Sequence, residues 1–318
     1  MEINPGSSPF IHVGKTTVQN GRASVELLLS DYPGTEEKAV YVLCLWDENG
    51  ALVFRSRRPV AEEGPCVIQI LHPHLWEGAD KPYLYQLELF VESTKPGAAD
   101  GEVTVQLLAK KYLPIRAFCD IPGKGLFLNG HPFSPARVCM APPVAACDRE
   151  KYFFDVLHQR KFVSLIQMGA NIVCVDESRE LSELERQCLQ EVCDRFGLIF
   201  EGYGNLSLQK SDTSVDIDRL FDGLGHPTEV YYKYKAMWSK EPFVYISNEG
   251  LCRQPDGGYF VRVYSNRKRI VLLVNGAVFA FQKDGPEFLF QDLQIKSFPV
   301  WLSAEGEECG MSVVCHEG

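Results

Sequence analysis

Three carboxylates invite a chemical reading: Asp176, Glu177 and Glu201. The first two follow the apolar run Asn171–Val175 and the third follows Leu198–Phe200. Short apolar runs separated by helix-like segments read as strands of a parallel sheet, and such sheets gather functional groups at the carboxyl ends of their strands. Two carboxyl groups facing each other across a bond act as general acid and as base or nucleophile. The competing reading is that strand-end carboxylates cap helices or face solvent. A fourth acid, Glu249, follows Asn248 in Phe243–Gly250, and a turn at the end of a strand accounts for that pair.

Other chemistry has little support in the sequence. There is no Ser/His/Asp arrangement, and Gly123-Lys124-Gly125 precedes a strand rather than the helix a phosphate loop requires. The eleven cysteines show no CxxC or Cys/His ligand spacing. Neither a disulfide framework nor a metal site is indicated, the cysteines read as small core hydrophobes, and no cofactor is expected. With 42 acidic against 32 basic residues the formal charge is −10, which argues against nucleic acid as a partner. The basic cluster Arg267-Lys268-Arg269 lies between two strand-like runs and reads as a solvated hairpin loop. No run reaches the roughly eighteen apolar residues of a membrane span, and Met1–Lys15 lacks the pattern of a secretory signal, so a cytoplasmic, non-membrane protein is expected.

The strand-end carboxylates need a scaffold, and the segment from Gly123 to Tyr203 supplies it. Its apolar runs alternate with helix-like patterns in the order strand, helix, strand, helix, strand, which implies parallel pairing through crossovers. Ser182-Glu183-Leu184-Glu185 fits a capping box, Leu181, Leu184, Cys188, Val192 and Phe196 mark one helical face, and Gly197 is placed to end that helix. Lys151–Met168 is a less regular helix, with Lys161 interrupting the face of Phe154, Leu157, Leu165 and Met168, which leaves a break or a second short helix open there. The polar stretch Gly204–Asp216 reads as a linker.

Both flanks read as β. From Phe10 to about Ala117 lie about seven alternating strands, which indicates an immunoglobulin-like β-sandwich. From Glu241 to Cys315 the hairpin Arg269–Val274, Asn275-Gly276, Ala277–Phe281 is flanked by further strands and indicates a second C-terminal β-sandwich. The resulting domains are residues 1–117, 118–238 and 239–318, a multidomain α and β chain.

Five strings in collinear order resemble glycoside hydrolase family 2, the family of β-galactosidases, β-glucuronidases and β-mannosidases. His72-Pro73-His74-Leu75-Trp76 with Lys81-Pro82-Tyr83-Leu84-Tyr85 is similar to its "P-x-LW…PYLY" segment. Pro114-Ile115-Arg116 resembles its "GxR" junction, and Gly125–Pro132 its "FxLNGkP" barrel entrance. Gln167–Asn171 resembles "qMGaN", and Cys193–Ile199 the approach to the third barrel strand. Glu229–Lys235 also resembles the last barrel helix.

The resemblance implies a (β/α)₈ barrel, yet the stretch from Phe118 to Gly225 has only 108 positions counting both ends, where a barrel takes about 200 or more. It therefore implies a truncated (partial TIM-barrel) core without the later strands that carry the family's two catalytic carboxylates. At the strand ends that remain, Cys139–Pro143 stands for the family's "NRHE", Cys174–Glu177 for its "RTSH", and Tyr203 for its glutamate. The expectation is a non-hydrolytic protein with a structural, interaction or weak carbohydrate-binding role, Tyr203 and Trp76 being candidate sugar contacts and Trp238 and Trp301 further stacking candidates, against the commoner reading that tryptophans of a sandwich are buried and that the aromatics around Trp76 close one end of it. The alternative is an active β-glycosidase using Asp176, Glu177 and Glu201, alone or completed by a partner subunit. A three-stranded parallel core leaves open edges, so cover by the sandwiches or by a second copy of the chain is also expected.

Overall fold

The computed structural model describes residues 11–30, 39–94, 103–141, 156–176, 180–201, 214–255 and 257–316. It is mostly β, and it divides into two compact units, one built from residues 1–135, 141–149 and 171–211 and the other from residues 136–140, 150–170 and 212–318.

The first unit begins with β1 (Ile11–Gln19), β2 (Arg22–Leu29) and β5 (Cys66–Leu71), which form one antiparallel sheet. β3 (Val40–Trp46), β4 (Leu52–Pro59), β6 (Tyr85–Thr94) and β7 (Val103–Leu113) form a second, in the order β4-β3-β6-β7. Along β5 burial alternates strictly, because successive side chains point to opposite faces of a sheet. Val25, Leu27, Ile68 and Ile70 of the first sheet share one core with Leu43, Leu45, Leu87 and Leu89 of the second. Each such side chain removed from water contributes about 1.5–3 kcal/mol. The turn after β3 closes where Asp47 accepts the amide hydrogens of Asn49 and Ala51 at 2.9 and 2.7 Å.

Three short strands follow, β8 (Phe118–Ile121), β9 (Gly125–Leu128) and β10 (His131–Pro132), paired antiparallel. The β9–β10 turn is Asn129-Gly130 with φ of 52° and 84°, the positive values such a pair tolerates. The same unit holds β12 (Ile172–Val175), the helix Glu183–Phe196 and β13 (Ile199–Glu201). β12 and β13 pair in parallel, with Ile172 opposite Ile199 and Cys174 opposite Glu201. The helix starts as expected: the Ser182 hydroxyl accepts from the Glu185 amide at 3.3 Å, while Glu185 accepts from the Ser182 amide at 2.8 Å. Its buried residues are Glu185, Leu189, Gln190, Val192, Cys193 and Asp194, while Leu181, Cys188 and Phe196 of the expected face are half-buried and the Leu184 side chain lies outside the described residues.

The second unit holds β11 (Arg137–Met140), the helix α1 (Val156–Met168) and β14 (Val215–Asp216). With α1 so named, the helix Glu183–Phe196 is α2, and α3 (Ile217–Leu220) and α4 (Glu229–Trp238) follow. α1 is continuous over its described length, without the break left open at Lys161, whose ammonium lies 5.9 Å from the Phe221 ring centroid. Residues 151–155 lie outside the described residues. The expected linker up to Asp216 ends instead in a strand, for β14 pairs in parallel with β11 through Val138–Val215 and Cys139–Asp216. A two-residue strand is too short to leave a periodic pattern. α1 and α4 pack closely, since a Cβ at Gly169 would fall 2.5 Å from the Trp238 backbone.

The remainder of this unit is two sheets over one core. β15 (Val244–Ile246), β16 (Cys252–Arg253) and β20 (Glu287–Leu293) pair with β17 (Tyr259–Ser265). β18 (Arg269–Val274), β19 (Ala277–Lys283), β21 (Val300–Gly306) and β22 (Cys309–Cys315) run in the order β19-β18-β21-β22. Val261, Val263, Phe288 and Phe290 meet Ile270, Leu272, Val300 and Leu302 between them. The hairpin loop expected at Arg267-Lys268-Arg269 is instead a passage from one sheet to the other: β17 and β18 do not pair, and Arg269 is already the first residue of β18. Cys139 and Cys174, expected to be plain core thiols, are each in the disulfide rather than the thiol state.

Candidate functional site

The expected reacting groups are at the ends of β12 and β13. Glu201 is the last residue of β13, half-buried and level with Cys174, and Asp176 follows β12 on the surface. Strand spacing of about 4.8 Å and an offset of two residues put their Cα atoms roughly 8 Å apart. Both side chains interact with other groups of the chain. Glu177 and Tyr203 lie outside the described residues. Neither of two cavities formed by described residues involves Asp176 or Glu201.

A second carboxylate on the same segment is treated differently. Asp194, near the end of α2, is 3% exposed. Its carboxylate lies 2.7 Å from the Arg116 guanidinium and accepts from the Gln190 amide at 2.7 Å. Burial pushes the Asp194 carboxyl above the usual range, with Arg116 and Gln190 pulling it back. The Asp194 backbone carbonyl accepts from the Trp76 indole at 3.0 Å, and Arg116 stands 4.3 Å over the same indole. The Asn129 side chain donates to the Trp76 carbonyl at 2.8 Å and accepts from the Ala117 amide at 2.9 Å. Gly197, at φ 74°, meets the 3-10 turn Gly78–Asp80 so closely that a Cβ would be 2.4 Å from the Ala79 Cα.

Trp76, a candidate sugar contact, is therefore 0% exposed and offers no ring face to a ligand. The reason is its neighbourhood: Leu128, Ile172 and Ile199 enclose the indole in one apolar cluster. Four of the family-like strings thus meet in one joint between the N-terminal sheets and α2. The burial of Asp194 was the part the sequence signalled least, because a charged residue between Cys193 and Arg195 reads as surface.

The larger cavity, about 600 Å³, is an open cleft beside Glu48, Pro73, His74, Lys81, Pro82 and Tyr83. His74 and Tyr83 stack there with ring centroids 4.7 Å apart. A cleft of about 300 Å³ lies along Lys15, Lys111, Arg116, Gln190 and Asp194, against the joint. Asn248-Glu249 is on the turn after β15, as expected: the Asn248 amide donates to Glu229 at 2.8 Å and Glu249 lies 3.9 Å from Arg262. Of the other tryptophans, Trp238 is half-buried beside Tyr234 at a centroid distance of 4.7 Å, and Trp301 faces solvent. Among the described residues no group of three or more His, Cys, Asp or Glu is arranged to hold a metal ion, and no helix is long and apolar enough to cross a membrane.

The chain is mostly β, with several antiparallel sheets and short parallel strand pairs accompanied by helices. Comparison with known proteins places that architecture more closely. No protein-family model matches the chain. A β-glucuronidase of Facaelibacterium prausnitzii L2-6, described as FMN-binding, superposes with a TM-score of 0.69 at 13% identity, covering 97% of this chain and 74% of its own. A glycosyl hydrolase family 2 member from Bacteroides cellulosilyticus superposes with a TM-score of 0.64 at 13% identity, covering 98% of this chain and 63% of its own. A curated Formosa agariphila protein named "Putative beta-glucuronidase" is 34% identical over 67 residues, which is 20% of this chain and 8% of that protein. The resemblance to glycoside hydrolase family 2 thus holds as a likeness of fold, and the chain spans only part of the length of these proteins.

Proposed function

We propose that this chain is a family 2 glycosidase-type scaffold that does not hydrolyse glycosides and serves a structural, interaction or carbohydrate-binding role. The observation that carries this is the position of β14. A late strand pairing in parallel with the first one is the pairing that closes a (β/α)₈ barrel, and the family-like helix α4 follows it. Between the end of β13 and the start of β14 lie only residues 202–214. Even one crossover with its helix takes about ten to twelve residues, and four strand-helix units take far more. The later strands, from which the family's two catalytic carboxylates come, have no chain to be made from. On this reading residues 118–238 are a truncated barrel between an immunoglobulin-like sandwich, 1–117, and a second sandwich, 239–318. The partners are carbohydrate and a second copy of the chain that covers the open edges, in the cytoplasm and without nucleic acid or membrane.

The test is turnover of a panel of aryl β-glycosides, including the glucuronide and galactoside, alongside calorimetric titration with the free sugars. No turnover is expected. Hydrolysis that disappears in Glu201→Gln or Glu177→Gln would overturn the proposal, because strand-end carboxylates would then be the reacting pair.

A further inference from the structure

The second unit carries an aromatic surface that its own core does not use. In the sheet β19-β18-β21-β22 the residues Ile270, Leu272, Val300, Leu302 and Ala304 point inward and are fully buried. Their neighbours point outward: Trp301 is 58% exposed and Phe281 56%. The register sets Trp301 beside Val314 and, one step along the same face, Ser303 beside Ser312, whose hydroxyls are 2.8 Å apart. At the far end Arg269 pairs with Lys283, and the Arg269 guanidinium lies 4.7 Å from the Phe281 ring centroid. Glu305, opposite Val271, adds a carboxylate to the same face.

We propose that this face binds an acidic oligosaccharide, with Trp301 stacked on a sugar ring, Ser303 and Ser312 bonded to its hydroxyls, and Arg269 and Lys283 receiving a carboxylate. An exposed indole held on a rigid sheet presents a flat apolar plane to the C–H face of a pyranose, and neighbouring hydroxyls fix its orientation. Arg269 and Lys283, with Lys268 before them, make a basic corner on a chain of formal charge −10, and that local positive charge favours an anionic ligand. Area points the same way. Four strands about 4.8 Å apart and about seven residues long offer roughly 450 Å², against about 800 Å² per partner in a stable protein interface. From the Trp301 end to the Arg269 end is roughly 20 Å, the reach of a short oligosaccharide rather than of one sugar. The inference rests on the carbohydrate part of the function proposed above and not on the loss of hydrolysis.

Calorimetric titration of the full chain with tetragalacturonate tests it, beside a neutral tetrasaccharide, a tetra-aspartate peptide and a short single-stranded oligonucleotide. The tetrauronate is expected to bind at least about tenfold more tightly than the other three, and Trp301→Ala and Arg269→Gln each to weaken it about tenfold or more. Trp301→Phe keeps an aromatic plane and should retain part of the affinity, and circular dichroism confirms that each variant is folded. No binding of the tetrauronate at millimolar concentration would overturn the proposal. So would an affinity unchanged by Trp301→Ala, or equal affinity for the peptide or the oligonucleotide. Sugar binding that survives Trp301→Ala would remove this site and leave the function above standing, whereas aryl-glycoside turnover would remove that function and leave this site.

Discussion

Two sets of carboxylates occupy the same strand-helix-strand segment and meet opposite environments. Asp194 on α2 is enclosed, 2.7 Å from Arg116, and tied by its backbone to the Trp76 indole. Asp176 at the end of β12 is exposed and Glu201 at the end of β13 is half-buried. The family-like strings collect around the first and depart from the family pattern around the second. In this chain, then, the resemblance is carried by residues that join elements, and it fades where groups would react with a substrate.

The comparison can be broken most directly at Trp76. Trp76→Ala removes a fully buried indole, its bond to the Asp194 carbonyl and the plane under Arg116, and should cost about 4 kcal/mol, the range for large aromatic deletions. Urea unfolding followed by circular dichroism measures it, and a loss below about 1 kcal/mol would show that the joint is not a principal tie. Asp194→Ala should cost about 3 kcal/mol, because it removes a buried, bonded side chain and leaves the half-buried Arg116 guanidinium without that partner. The double variant Arg116→Met with Asp194→Leu should be less damaging than the sum of the single changes, since no charge is then stranded. Gly197→Ala comes next, at about 2 kcal/mol: a left-handed φ disfavours any side chain, and the new Cβ would overlap the Ala79 backbone. Differential scanning calorimetry would register it as a fall in Tm.

Much of the fold was legible because its signals are local. Strict alternation along Cys66–Leu71, Asn275-Gly276 between two apolar runs and the Ser182–Glu185 box each specify an element from a few neighbouring residues. β14 and β22 were not legible, for different reasons. β14 is two residues long and exists because β11 offers an edge. β22 follows a Glu307-Glu308 turn, with Glu308 at φ 64°, where an Asn-Gly or Asp-Gly pair would have marked a hairpin. The site was legible only as a set of candidates: burial decides whether an aromatic meets ligand or core, and nothing in the residues around Trp76 and Trp301 announces that the first is enclosed and the second exposed. The Asp194–Arg116 pair, 78 positions apart in the chain, could not be read from spacing at all.

A smaller effect sharpens the picture of the joint. Glu191, next to the joint on α2, has its carboxyl pushed up by burial, with Lys111 and Arg195 drawing it down and Asp194 adding to the rise. A carboxyl raised in the folded state contributes stability that is fully present below its unfolded pKa and is lost as pH rises through the folded one. Glu191→Gln should therefore gain stability relative to the parent as pH goes from about 4 to about 7, by up to about 1 kcal/mol. Paired Tm measurements at the two pH values check the sign, and a gain that shrinks with rising pH would place Glu191 in a net favourable ion pair instead.

The least change is expected at the strand ends. Asp176→Asn and Glu201→Gln keep shape and remove charge at positions that are exposed or half-buried and that interact with other groups of the chain, so each should alter stability by no more than about 1 kcal/mol and leave sugar affinity unchanged. Neutral substitutions of this kind separate a reacting carboxylate from a solvated one better than alanine does, because the side chain still fills its place and only the proton chemistry is lost. A large stability loss at Glu201 would mean that the end of β13 is a joint like the one around Asp194. A lost catalytic rate with intact stability would instead make it the reacting group that the rest of the barrel was expected to supply.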